Sequence, residues 1–147
     1  TRCLSDWSSD VCSSDLMEVS CLDINEVKIF ADNELLQMAI TNLIKNAIQA
    51  THRVKSPTIS VAAECGDDAI LLTITDNGEG IPPMMQSRIF EPYFTTKTGG
   101  TGLGLVLTRK TIEEAGGSIW FSSDVDVGTT FYCKLPLLKD DAQNSER

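Results

Sequence analysis

Apolar positions change their period several times along the chain, and each change marks an element. From Glu34 to Ala50 (E-L-L-Q-M-A-I-T-N-L-I-K-N-A-I-Q-A) the period is helical. At about 100° per residue, Leu36, Ile40, Leu43, Ile44 and Ala47 fall on one stripe. Asp32 or Asn33 is the expected N-cap. Beside the stripe lie Ala39, Asn42, Asn46 and Ala50, a small and polar strip that borders the core. Asn42 and Asn46 are four residues apart and therefore stacked neighbours, although Asn is a poor helix former. They are either two solvated amides or the lining of a cavity, with carbonyls available to a metal ion or a ligand.

Elsewhere the period is that of strands. Met17–Leu22 and Val27–Ala31 read as two short strands joined at Asp23-Ile24-Asn25. Thr58–Cys65 alternates, with Ile59, Val61, Ala63 and Cys65 on one face. Gly66-Asp67-Asp68 turns the chain, and Ala69–Thr75 returns to complete a hairpin. Ser118–Ser123 and Thr129–Leu135 form a second pair around the turn Asp124–Gly128. Pro82-Pro83 starts only a short helix, about Met84–Ile89. Gly102-Leu103-Gly104-Leu105 opens a longer one, through Ala115, which Gly116-Gly117 stop. Thr51–Pro57, with the sole histidine, His52, is a polar connection, and Lys139–Arg147 is a polar tail.

One position breaks the apolar pattern. Alternate residues of a strand share a face, so Asp76 points the same way as Ile70, Leu72 and Ile74. An inward carboxylate is costly unless something hydrogen-bonds to it. Asp-Asn-Gly are also the commonest turn residues. Asp76 therefore either opens a turn or is kept for a partner other than water.

Composition narrows the classes. The 147 residues suit one domain with a real core. No apolar run approaches the roughly 20 residues of a membrane span. The net charge of −9 argues against a nucleic-acid binder, which needs a basic face. Five cysteines, at 3, 12, 21, 65 and 133, are odd in number and lack a C-x-x-C. That argues against structural zinc and a disulfide framework and for a reducing compartment. Residues 1–16 have no periodicity, and Asp6–Leu16 (D-W-S-S-D-V-C-S-S-D-L) resembles the translation of a common sequencing adapter. They are expected to be non-native and are left out of the fold. The native chain is then expected to extend upstream of Met17.

The glycines carry candidate chemistry. Gly100–Leu105 (G-T-G-L-G-L) lies immediately before a helix, whose N-terminus offers free N–H groups and a positive dipole end to phosphate. No G-K-[ST] follows at Walker A spacing, and Gly104 comes one residue too soon for the dinucleotide fingerprint. A glycine-rich lid or hinge is the alternative. Lys97, just before it, either meets phosphate charge or is solvated.

Four stretches together resemble the ATP-binding domain of bacterial sensor histidine kinases. Asn42-Leu43-Ile44-Lys45-Asn46-Ala47 is similar to the N box, and Asp76–Pro82 (D-N-G-E-G-I-P) to the first glycine box. Ile89–Lys97 (I-F-E-P-Y-F-T-T-K) is similar to the F box and Gly100–Leu105 to the second glycine box. Gly128-Thr129-Thr130-Phe131, with Leu135-Pro136-Leu137, resembles the closing strand. The resemblance spans residues 17–138, and the short F-T-T-K ending is most similar to the nitrogen-regulation and dicarboxylate-sensing branch.

This resemblance implies a two-layer α/β sandwich, the Bergerat fold, with a mixed sheet covered by about three helices. It implies that Asp76 accepts from the adenine 6-amino group and that Thr129 supports the same site. Gly78 and Gly80 would let the backbone pass the base and ribose, Ile81 would belong to the ATP site, and Asn46 would coordinate Mg²⁺. Gly102 and Gly104 would hold the phosphates with main-chain N–H groups, and Gly100, Thr101, Leu103 and Leu105 would belong to the same ATP-binding stretch. Thr95, Thr96 and Lys97 would lie near the γ-phosphate. Asn42, Asn46 and Lys97 are the implied catalytic residues. Hydrolysing relatives carry Glu where Asn42 stands, and an amide cannot act as a general base. The pattern thus favours transfer of the γ-phosphoryl of Mg-ATP to a histidine over hydrolysis. His52 lacks the acceptor context, so the acceptor is expected on an upstream dimerisation domain. The implied partners are that domain and a response regulator, within a homodimeric parent. The domain would be cytoplasmic, its parent able to anchor in the inner membrane. A serine kinase acting on anti-sigma factors, or a non-catalytic nucleotide-binding module, would use the same fold.

Overall fold

The computed structural model describes residues 17–21, 27–96 and 99–138. The strands are β1 (Met17–Cys21), β2 (Ile59–Cys65), β3 (Ala69–Asp76), β4 (Ser118–Asp124) and β5 (Gly128–Pro136). They form one sheet in the order β1-β2-β3-β5-β4. β1 runs parallel to β2 and the other pairs are antiparallel, so the sheet is mixed. The helices are α1 (Asn33–Ala50), the single turn α2 (Pro83–Gln86) and α3 (Gly104–Glu114).

The two sheet faces follow from the alternation. Ile59, Val61 and Ala63 of β2, Ile70, Leu72 and Ile74 of β3, and Phe131, Cys133 and Leu135 of β5 are buried. They share one core with Leu36, Ile40, Leu43, Ile44 and Ala47 of α1 and Ile112 of α3. Leu43, Ile70, Ile74 and Ile112 are each 1% exposed, and full burial of such a side chain contributes about 1.5–3 kcal/mol. The opposite sheet face carries Thr73, Thr75, Thr130 and a stacked Trp120–Tyr132 pair with centroids 5.4 Å apart. The result is a two-layer α/β sandwich, as the sequence predicts. The α2 turn makes the third helix far smaller than the other two.

The helix ends obey local chemistry. Asp32 caps α1, its Oδ1 accepting from Leu35 N at 3.0 Å. At the end of α3, Gly116 N donates to Glu113 O and Gly117 N to Ile112 O, both at 2.9 Å. Gly116 has φ 75°, and this bond pair is the Schellman ending that a left-handed glycine permits.

Two expectations need correction. Val27–Ala31 is not a strand. Only Ile29 makes an isolated bridge, to Leu137, and Leu138 N donates to Lys28 O at 2.8 Å. β5 already has β3 and β4 on its two sides, so this segment meets only the residues beyond its end. The short helix covers Pro83–Gln86 and not Met84–Ile89. After it, Arg88 N donates to Met85 O and Glu91 N to Arg88 O. These are consecutive three-residue turns, tighter than an α-helix.

Candidate active site

The site grows from the end of β3. Asp76 pairs with Ile59 of β2 on one side and Thr129 of β5 on the other. It faces the helix layer and is 6% exposed. Its Oδ1 accepts from Gly78 N at 2.8 Å and from Thr129 N at 3.3 Å. The bond to the residue two positions on is an Asx turn. The turn reading of Asp76 therefore holds: one oxygen opens the turn, and the other is outside it. No buried side-chain N or O among the described residues lacks a partner, so Oδ2, which makes neither bond, keeps open surface. Burial pushes the carboxyl above its ordinary value of 3.8, and the Gly78 and Thr129 N–H groups pull it partly back.

The first glycine box is pinned from two directions. Glu79 N donates to Ala50 O at 3.2 Å, which joins it to the end of α1. Asp126 N donates to Glu79 O at 3.0 Å, and Ile81 N to Ser123 Oγ at 2.8 Å, which join it to the β4–β5 turn. Ser123 Oγ lies 2.8 Å from Thr129 Oγ1. Gln86 of α2 donates to Ile81 O at 2.9 Å and to Ser123 O at 3.1 Å. Asn77 clamps the loop before β2, accepting from Thr58 N at 2.8 Å and donating to Ser56 O at 2.9 Å. Gly80 has φ 71°, and a side chain there would strike the Asp124 carbonyl. The close approach this glycine permits is thus first to the protein itself.

The second glycine box meets α1 and the F box. Tyr93 N donates to Gly102 O at 3.1 Å. A Cβ on Gly104 would meet the Asn42 amide. Asn42 Nδ2 donates to Thr108 Oγ1 at 3.1 Å, and Thr108 Oγ1 donates to Gly104 O at 2.9 Å. Thr108 is 1% exposed. Asn42 is therefore held against the start of α3, while Asn46, half-buried, stands one turn further along α1. No side chain caps α3, which leaves its first-turn N–H groups for an anion. Thr108→Val keeps the shape and deletes the hydroxyl. It is expected to cost about 1 kcal/mol in urea denaturation; an unchanged midpoint would show that the two Thr108 hydroxyl bonds together contribute nothing.

The remaining candidates fall as follows. Gly78 and Thr129 are buried, Ile81 and Leu103 half-buried. Leu105 packs on the core, so only its main chain can serve a ligand. Gly100, Thr101, Thr95 and Thr96 are exposed. Lys97 lies outside the described residues, as do residues 1–16. The F box is fastened by buried Ile89 and by Phe90, which packs against Phe121 at 6.1 Å. A cavity of about 280 Å³ is lined by Ser60, Thr75, Ser122 and Thr130 of the other sheet face and also by Asp76, Ser123, Gly128 and Thr129.

Three supporting residues are absent from the sequence reading. Ser123 was within reach, because counting back from the Asp124–Gly128 turn sets it opposite Thr129. Thr108 lies one helical turn after Gly104, where a buried hydroxyl needs a partner. Gln86 gives no signal in its one-turn helix.

Comparison with known proteins agrees with this geometry. The family model described as "Histidine kinase-, DNA gyrase B-, and HSP90-like ATPase" matches residues 31–139. Sensor histidine kinase ZraS of Salmonella typhimurium is 45% identical over 112 residues, 76% of this chain and 24% of that protein. Sporulation kinase B of Bacillus subtilis is 40% identical over 111 residues, 76% of this chain and 26% of that protein. Among solved structures, the mycobacterial sensor histidine kinase MprB superposes with TM-score 0.71 at 26% identity, covering 83% of this chain and 81% of that one. The catalytic domain of histidine kinase ThkA gives 0.68 at 32% identity, covering 82% and 80%. The chain belongs to the histidine kinase-, DNA gyrase B- and HSP90-like ATPase family. Within it, the fold and relatives are those of the ATP-binding catalytic domain of a sensor histidine kinase. It spans about a quarter of the length of the curated relatives it matches.

Proposed function

We propose that the domain, residues 17–138, binds Mg-ATP and transfers its γ-phosphoryl group to a histidine of an upstream dimerisation domain. The observation that carries this reading is Asp76: one carboxylate oxygen is held by two main-chain N–H groups, and the other is left to accept from an adenine amino group. The uncapped N-terminus of α3, beside Asn42, suits the phosphates. The family pattern assigns Asn46, Thr95, Thr96 and Lys97 to the same phosphates. A Mg²⁺ ion would take the Asn46 carbonyl and phosphate oxygens, since Mg²⁺ keeps few protein ligands, and would neutralise phosphate charge. Asn42 cannot take a proton from water, so the site is built for positioning and charge neutralisation, the demands of phosphoryl transfer. The P–O bond to ADP breaks as a P–N bond to the acceptor histidine forms.

In this reading the domain works in the cytoplasm, within a homodimeric parent that passes the phosphoryl group to a response regulator. No helix among the described residues is long and apolar enough to cross a membrane. The test is calorimetry with Mg-ATP, followed by phosphorylation of a supplied dimerisation domain. Asn46→Ala is expected to lower the transfer rate at least about tenfold. Folded protein that binds no ATP would sink the kinase reading, and unchanged transfer by Asn46→Ala would remove the metal assignment.

A further inference from the structure

We infer that Ser123 fixes the hydrogen-bond polarity of Thr129 and thereby selects a 6-amino over a 6-oxo purine. The inference rests on the nucleotide reading above and assigns a specificity role to a residue outside the four motifs.

A serine hydroxyl has one proton and two lone pairs. The Ile81 N–H can only donate, and it takes one lone pair of Ser123 Oγ at 2.8 Å. The Gly128 carbonyl can only accept, and it takes the Ser123 proton at 3.2 Å. One lone pair remains, facing Thr129 Oγ1 at 2.8 Å. Either hydroxyl can donate at this contact; with the Ser123 proton on Gly128 O, the donor is Thr129. Its proton is spent there, and Thr129 has only lone pairs for an approaching group. Neighbouring Asp76, ionised, also only accepts. Where both face the 6-substituent, two acceptors suit an amino group, which has two protons to give, and repel a carbonyl.

The surroundings keep this count fixed. Ile81 belongs to the first glycine box, Ser123 to β4, and Gly128 and Thr129 to β5. Ser123 and Thr129 are partners in the ladder. Gln86 bonds the main-chain carbonyls of both Ile81 and Ser123, so the three donors and acceptors around Ser123 Oγ are tied to one another. A buried polar group seldom forgoes a bond, and Thr129 is 5% exposed.

The experiment measures equilibrium affinities of the whole chain for ATP and ITP by calorimetry, with thermal melting to confirm folding. Wild type is expected to prefer ATP. Ser123→Ala frees the Thr129 proton to turn toward a 6-oxo group, and the ATP-to-ITP affinity ratio should fall by about three- to tenfold. In a Thr129→Val background, Ser123→Ala should leave the ratio where it is. If Ser123→Ala does not fold, Thr129→Val alone decides. The ratio falls if Thr129 accepts and rises if it donates, and a rise overturns the inference. An unchanged ratio in folded Ser123→Ala overturns it too while ATP binding itself stands. Wild type that binds neither nucleotide overturns both this inference and the nucleotide reading.

Discussion

Asp76→Asn is expected to lower ATP affinity by about 10- to 100-fold and to leave the melting temperature equal or higher. The amide keeps an oxygen for Gly78 N and Thr129 N, the two bonds that shape the turn. What changes is the other atom: an acceptor oxygen becomes an NH₂ donor facing a donor amino group. Stability should not suffer, because burial already disfavours the charge there. The sign follows from linkage. The folded carboxyl sits above its ordinary value of 3.8. Its contribution to stability is therefore present below 3.8 and lost as pH rises through the folded value. ATP affinity runs the other way, because the ionised oxygen is the acceptor, and declines as pH falls through that same value. Asp76→Asn should remove this titration from both profiles. Calorimetry and melting across acid pH read both at once. Near-normal ATP affinity in the folded variant would contradict the adenine role.

The residues legible in the sequence are those whose reason is local. The stripe of α1, the two hairpins and the inward placement of Asp76 all follow from period alone, and each is where alternation sets it. Val27–Ala31 failed because β-propensity says nothing about a free sheet edge, and β5 has none to give. The glycine boxes were readable as motifs but not as contacts. Gly104 is small because Asn42 lies against it, and Gly80 because Asp124 does, and both partners are distant in sequence. Ser123, Thr108 and Gln86 act through hydrogen bonds that exist only once the elements have met. A site held by such bonds ties nucleotide recognition to the packing of α1, α3 and the β4–β5 turn together.

Gly128→Ala tests that tie at its tightest point and should be the most damaging single methyl in the domain. Gly128 opens β5 with φ 138°, a conformation that L side chains rarely adopt. A Cβ there would strike the Asp76 carbonyl oxygen, and would come within 2.9 Å of the Asp76 carbonyl carbon and Asn77 Cα. These are backbone atoms of the strand end that positions the carboxylate, and no rotamer change can move them aside. Relief requires β5 to leave β3 at the Asp76–Thr129 pair, which also breaks the Thr129 N–H bond to Asp76 and displaces the carbonyl that Ser123 uses. Backbone strain and overpacking in one step are expected to cost about 3 kcal/mol or more. ATP affinity should fall with stability, in contrast to Asp76→Asn, where the two part company. Urea denaturation and calorimetry on the same preparation separate these cases. A Gly128→Ala protein with wild-type stability and wild-type ATP affinity would mean that the β3–β5 end is not the rigid frame of the site.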